Sequence, residues 1–342
     1  MTTPSTAFGP GKLPMEFLDT LLRRYTHADE RLVAGPRVGA DVAVVDMGDR
    51  YLVVKTDPIT FATDQIGWYA VNVNANDIAT SGARPLWMLN TVLLPEKGTT
   101  PALVEAIFSQ LHAACAELGI VPVGGHTEVT LGLDRPIVVG VMLGEVARER
   151  LITSAGGRVG DAVLLAKGIP IEATAIIAHE MGDTLRRCGY DEAFLARARG
   201  YLHDPGISVV QAACLAADHP GTHAMHDPTE GGLATGLHEL AYAAGTGLRL
   251  YAERVPLLPE GARLCAEFGL DPLGAIASGA LIVAVAPEAA DALQRVYAAN
   301  GIPCAHVADL VPAEEGVAQV RSGQVLPLPR YDADEITRIL AS

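Results

Sequence analysis

The chain has 342 residues, 49% of them apolar and 19% charged, with a formal net charge of −15. That composition supports a sizeable core and argues against disorder, and at roughly 100–200 residues per domain it predicts two domains. The acidic balance argues against a nucleic-acid backbone as partner, and the five cysteines, Cys115, Cys188, Cys214, Cys265 and Cys304, form no CxxC pair that would signal a disulfide framework or a zinc site. The start carries no apolar stretch of a signal peptide, and no run reaches the ~18 apolar residues of a membrane span, so a cytoplasmic protein is expected.

Val42 to Met47 and Tyr51 to Thr56 read as strands of a hairpin, joined by Gly48-Asp49-Arg50. A helix is expected from Asp64 to Ser81, with Trp68, Val71, Ala75, Ile78 and Gly82 on an apolar stripe and Asn74, Asp77 and Ser81 on another. Leu86 to Leu94 reads as a buried strand ended by Pro95. Thr100 as cap, Pro101 in the first turn and the face Leu103, Ile107, Leu111, Ala114, Leu118 predict a helix that Gly119 stops. Strands follow at Ile120 to Val123 and Ile137 to Val146.

The charged, then glycine-rich stretch Arg148 to Gly160 marks the domain boundary, giving domains 1–150 and 151–342. Beyond it, strands are expected at Ala162 to Ala166, Leu281 to Ala286 and Ala305 to Leu310, and helices at Ile171 to Glu180, Gly231 to Ala244 and Pro287 to Asn300. Strands and helices mix without a regular βαβ period, so the class is α+β.

No GxxxxGKS/T loop, no GxGxxG between strand and helix and no GxSxG elbow is present. Aspartates at element ends remain: Asp41 opening the first strand, Asp57 closing the second ahead of Pro58, Asp77 within Asn74-Ala75-Asn76-Asp77, and Asp227 within His226-Asp227-Pro228-Thr229-Glu230-Gly231-Gly232. Such carboxylates suit Mg2+, which takes one or two of them with phosphate oxygens and water. Each also has a plain structural reading: Asp57 starts a turn, Asp77 is a solvated helix position, and Asp227 caps the next helix. Gly231 and Gly232 at a helix start would offer amides to a phosphate, with Thr229 and Glu230 beside them. Gly124 and Gly125, followed by His126, Thr127 and Glu128, end a strand and fit either close approach of a ligand or a tight turn. Lys12 could reach a phosphate or be a flexible terminal residue. His126 and His226 adjoin these segments, but a lone histidine is more often simply satisfied, and no zinc set is present.

In order, GADVAVV at 39–45, KTDP at 55–58, NANDIATSGARP at 74–85, GGHTE at 124–128, GRVGDAVLLAKGIPIEATAI at 157–176 and DPTEGGLA at 227–234 resemble the aminoimidazole-ribonucleotide synthetase (AIR synthetase) superfamily over nearly the whole chain. That superfamily includes thiamine-monophosphate kinase, selenophosphate synthetase and the hydrogenase maturation factor HypE, and the HypE-like pattern fits best. The resemblance implies a two-domain subunit whose amino-terminal sandwich-type domain pairs across a homodimer into a barrel, with ATP and Mg2+ bound in a nearby cleft. It implies catalytic Asp57 and Asp77, metal ligands Asp41, Asp57, Asp77 and Asp227, and nucleotide contacts at Lys12, Asp41, Asn76, Gly124, Gly125, His126, Thr127, Asp227, Thr229, Gly231 and Gly232, Asn76 as a support.

Three departures qualify it. HypE proteins end in a cysteine that carries the cyano group, whereas this chain ends Arg338-Ile339-Leu340-Ala341-Ser342, so the thiocyanate reaction is not expected. His126 stands where HypE and thiamine-phosphate kinases have Asp, and the stretch Ala7 to Leu13 lacks the reactive cysteine of the selenophosphate branch. The acceptor is therefore open between a small molecule and a protein side chain. Thiamine-monophosphate kinase or purine-ring closure are the alternative activities. A nucleotide-binding accessory protein of metalloenzyme maturation is the alternative of another class.

Overall fold

The computed structural model describes Phe8 and residues 13–36, 41–60 and 64–340. Lys12 and the terminal residues Ala341 and Ser342 lie outside the described residues.

The first half comprises α1 (Met15–Tyr25), β1 (Leu32–Ala34), β2 (Ala43–Asp46), β3 (Arg50–Ile59), α2 (Ile66–Thr80), β4 (Arg84–Pro95), α3 (Pro101–Leu118), β5 (Val121–Thr130) and β6 (Ile137–Ala147). Its six strands are ordered β1-β2-β3-β6-β4-β5. All neighbours are antiparallel except β4 and β5, whose parallel pairing is made possible by the α3 crossover. The α3 helix begins as its sequence predicts: Thr100 Oγ1 accepts the Leu103 N–H, and left-handed Gly119 ends it.

Burial alternates residue by residue along β6, so this sheet is covered on one face. The cover is α2. It approaches closely because Gly140 and Gly144 have no side chain; a Cβ there would sit 2.5 Å from Asn74 Nδ2 and 2.4 Å from Ile78 Cγ2. An amphipathic helix is expected here, but α2 is buried on nearly every side. One side lies on the sheet and α3, the other packs on the second half of the molecule, and burial on both sides removes the polar stripe.

The second half comprises β7 (Ala162–Ala166), α4 (Glu172–Glu180), α5 (Gly182–Arg187), α6 (Glu192–Gly200), α7 (Val210–Ala217), β8 (Thr222–His226), α8 (Gly232–Ala244), β9 (Gly247–Tyr251), α9 (Pro259–Phe268), β10 (Leu281–Val285), α10 (Pro287–Ala299), β11 (Cys304–Val311), β12 (Val317–Arg321), β13 (Gln324–Pro327) and α11 (Thr337–Leu340). The seven strands are ordered β13-β12-β9-β11-β7-β10-β8. Here both faces are covered. Val163 and Leu165 pack with Leu233, Leu237 and Leu240 of α8, whereas Leu164 and Ala166 pack with Ala212, Ala213, Leu293 and Tyr297 of α7 and α10. That is why β7 and β10 are apolar at every position rather than alternating. The α+β class holds, and the β7, α4, α8, β10, α10 and β11 positions lie within a residue or two of expectation.

Two expectations are corrected. Asp57 does not close its strand: β3 runs on through Pro58 to Ile59, pairing Asp57 with Gly140. The Gly124-Gly125 pair does not end a strand either, because β5 continues to Thr130 along β4. A Cβ on Gly125 would lie 2.0 Å from Asn90 O, so the glycine serves close strand approach, not a turn.

Candidate active site

Alternation along β3 places Lys55 and Asp57 on the same face, opposite Met142 and Gly140 and toward α2. Asp77, on α2, turns down onto that face. Lys55 Nζ lies 3.0 Å from Asp77 Oδ2 and 3.4 Å from Asp57 Oδ2. From the other half of the chain, β8 delivers His226 at its last residue and Asp227 just beyond. His226 Nδ1 is 3.2 Å from Asp41 Oδ2, and its Nε2 is 2.9 Å from Glu239 Oε2 on α8. Asp41, Asp57, Asp77 and Asp227 thus gather where the two halves meet.

The electrostatics follow from burial. Desolvation alone would push the Lys55 ammonium down, but Asp77, Asp57 and Asp41 outweigh it and hold it well above its ordinary value. Burial pushes the Asp77 carboxyl well up; Lys55 offsets part of that, while Asp227, Asp41 and Asp57 add to it. Burial, then Asp41, pushes Asp227 up to about 7, against the pull of His226 and Lys55. His226 is also disfavoured as a cation by burial, yet Asp41 and Glu239 raise it well above the usual imidazole value. With a carboxylate at each nitrogen, the surroundings of the ring favour donation from both.

One ammonium cannot satisfy this many carboxylates. Asp227 is 3% exposed, and its Oδ1 is buried without a hydrogen-bond partner. An unpartnered buried oxygen among carboxylates is a donor set of hard oxygens, which fits Mg2+. Among the described residues no three His, Cys, Asp or Glu side chains stand ready as a metal cage.

Other expected residues are placed differently. Asn76 is fully buried, and its side chain is spent on the backbone: Nδ2 donates to Ile207 O at 2.9 Å and Oδ1 accepts from Val209 N at 2.8 Å. Both ends of its amide are thus engaged by the backbone of residues 207 and 209. The Gly231 and Gly232 amides, expected to face a phosphate, donate instead to Asp334 Oδ2 and Thr229 O. Asp227 is no helix cap: left-handed Gly231 precedes α8. Asp77 is no solvated position, being 6% exposed.

Gly124, Gly125, His126 and Thr127 lie on exposed edge strand β5. Asp57 pairs with Gly140, Gly140 with Asn90 and Asn90 with Gly125. Within one chain the two segments are therefore three strand spacings apart, about 14 Å. His126 there contacts Glu128, at 3.2 Å.

Sequence reasoning did not single out Lys55, His226 or Glu239 as site residues. The signal for Lys55 was present: at i and i+2 with Asp57 in a strand, it shares that face. Glu239 gave none, because it reaches His226 from mid-helix.

Residues 39–146 match the amino-terminal domain family, and residues 158–321 the carboxy-terminal domain family, of AIR synthase related proteins. Carbamoyl dehydratase HypE of Cupriavidus necator is 33% identical over 75% of this chain and 72% of its own length. Escherichia coli HypE has the same fold, with a TM-score of 0.72 at 24% identity over 95% of this chain and 99% of that one. Hydrogenase maturation protein HypE solved in complex with ATP has a TM-score of 0.68 at 24% identity, covering 93% of this chain and 92% of its own. With both of its halves matched in order, the chain belongs to the AIR synthase related protein family and is an enzyme of that superfamily.

Proposed function

We propose that this enzyme is a HypE-like, ATP- and Mg2+-dependent catalyst that transfers a phosphoryl group to an acceptor or uses ATP to activate it. The observation that carries this reading is the gathering of Asp41, Asp57, Asp77 and Asp227 around Lys55, with Asp227 Oδ1 buried and unpartnered. Phosphoryl transfer asks little covalent chemistry of a protein and much positioning and charge neutralisation. Mg2+, when bound, would supply that neutralisation at the phosphate oxygens. Asp227 and Asp77 would hold it and Asp57 would orient it. Lys55 bridges Asp57 and Asp77 and holds them in place. The full ligand set, Asp41 included, and the catalytic roles of Asp57 and Asp77 belong to this proposal, as does a cytoplasmic setting.

The same reading includes a homodimer. β5 is a sheet edge with Val121, Val123 and Val129 more than half exposed, a surface that proteins normally pair or cover. Pairing there would bring Gly124, Gly125, His126 and Thr127 of one protomer to the other, the route by which they could still contribute to nucleotide binding.

ADP formation with candidate acceptors, for wild type and Asp57→Asn, tests the chemistry. Asp57 is part-exposed, so the variant should keep its melting temperature and lose at least ~100-fold in turnover. Equal turnover in the two overturns the reading.

A further inference from the structure

Between α6 and α7 the chain makes an irregular turn, residues 202–209, that lies at the junction of the two halves. Its four successive carbonyls at 205, 206, 207 and 208 are all collected by two side chains. Lys167, just past β7, donates from Nζ to Pro205 O at 2.9 Å, Gly206 O at 2.9 Å and Ser208 O at 2.6 Å. Asn76, on α2, takes the remaining one, Ile207 O, and also accepts the Val209 N–H. The Trp68 ring, on the same helix, packs at a tilt of 59° against His203, with centroids 4.5 Å apart. Behind the turn, Gly279 leaves no room: a Cβ there would be 2.8 Å from Gly206 O.

Lys167 is costly where it stands. It lies in a left-handed conformation at φ +70, uncommon for a residue with a side chain. Burial pushes its ammonium down to about 8, offset in part by Asp204. No carboxylate forms an ion pair with it among the described contacts; its partners are carbonyls. A lysine paying those costs to tie one short segment implies that the position of that segment matters. Asn76 precedes Asp77, and the Asp77 face of α2 packs near β8, which carries His226 and leads to Asp227.

We propose that Asn76 and Lys167 are positioning residues: from opposite halves of the chain they latch residues 205–209 and so set where Asp227 stands relative to Asp77. The latch rests on the reading of the carboxylate site as the place where nucleotide and metal bind. Neither side chain touches the ligand; each acts through the strap.

The test uses the full chain carrying Trp87→Phe, which leaves Trp68 as its single tryptophan. Asn76→Ala and Lys167→Met, singly and together, are compared by Trp68 emission, amide exchange and Mg·ATP calorimetry. Each single variant should red-shift Trp68, speed exchange at Val209 and weaken Mg·ATP binding about tenfold, a usual size for coupling between sites. Because both act through one strap, the double variant should lose clearly less than the product of the two single losses. Affinity within about twofold of wild type despite a released strap overturns the latch, as does full multiplicativity in the double variant. Lys167→Met makes no change beside Asp77, so a loss there is not local damage, and if it fails to fold Asn76→Ala still decides. If wild type binds no Mg·ATP, the site's reading falls and exchange alone judges the latch. Releasing the strap must then speed exchange in α2 and β8, and unchanged exchange there overturns it.

Discussion

Asp77 and Glu172 are both buried carboxyls, and their surroundings differ in one respect. Asp77 has the Lys55 ammonium 3.0 Å away. Glu172, at the start of α4, has only the Ser278 hydroxyl in its favour; burial, with Glu230 and Asp334 nearby, pushes it up to about 8, and its Oε2 has no partner. Burial raises the first as well, but a cation offsets part of that rise. The second has no cation among its described neighbours to oppose burial, which holds its proton well above the ordinary carboxyl range. Burial alone therefore raises both carboxyls, and a neighbouring positive charge is what separates them.

Three changes sharpen that contrast. Lys55→Met removes the cation from the first arrangement and leaves Asp77 uncompensated, at an expected cost of about 3–5 kcal/mol by urea unfolding. Millimolar Mg2+ should restore part of that loss, and no recovery would argue against a cation site there. Glu172→Gln acts in the opposite sense. The folded value near 8 lies above the unfolded one, so Glu172 favours folding fully at low pH. That contribution is lost as pH rises from ordinary carboxyl values through about 8, at about 1.4 kcal/mol per unit. Glu172→Gln, which keeps a partner for Ser278, should flatten this fall and raise the melting temperature at pH 8 but not at pH 4. A parallel shift at both pH values would mean that Glu172 is ionised. The smallest effect is His126→Ala, on the exposed strand away from both groups, which should change monomer stability by no more than ~0.5 kcal/mol. A larger change, growing with protein concentration, would place His126 in a subunit interface.

Much of the fold is legible in the sequence where local signals act alone. Thr100, Pro101 and Gly119 bound α3 without help from the rest of the chain. The buried strands β7 and β10 are equally plain, as unbroken apolar runs closed by lysine or proline. Where partners decide, the sequence misleads. Gly124-Gly125 has the composition of a turn, but pairing with β4 keeps it extended. Asn74 and Asp77 give α2 a polar stripe, yet a second layer from residues 131 and more away in sequence encloses it, as where Asn76 meets Ile207 and Val209. Short α5, α6, α7, β8 and β9 carry too few periods to declare themselves. The aspartates of the site could be picked out, because their segments recur in order. Their partners could not, because Lys55, His226 and Glu239 matter only through who faces them after folding.

Asp334 ties the end of the described chain to this centre. One of its oxygens accepts the Gly231 N–H and the other the Ile336 N–H, so the turn following Asp227 is finished by residues near 334. During synthesis the six-stranded sheet, complete at Ala147, has its whole sequence available long before that. At roughly 5–20 residues per second, ten seconds or more separate the emergence of Ala147 from that of Asp334. Asp41, Lys55, Asp57 and Asp77 are thus synthesised well before the residue that finishes the turn after Asp227. The turn after Asp227 gains this tie only once Asp334 has been made.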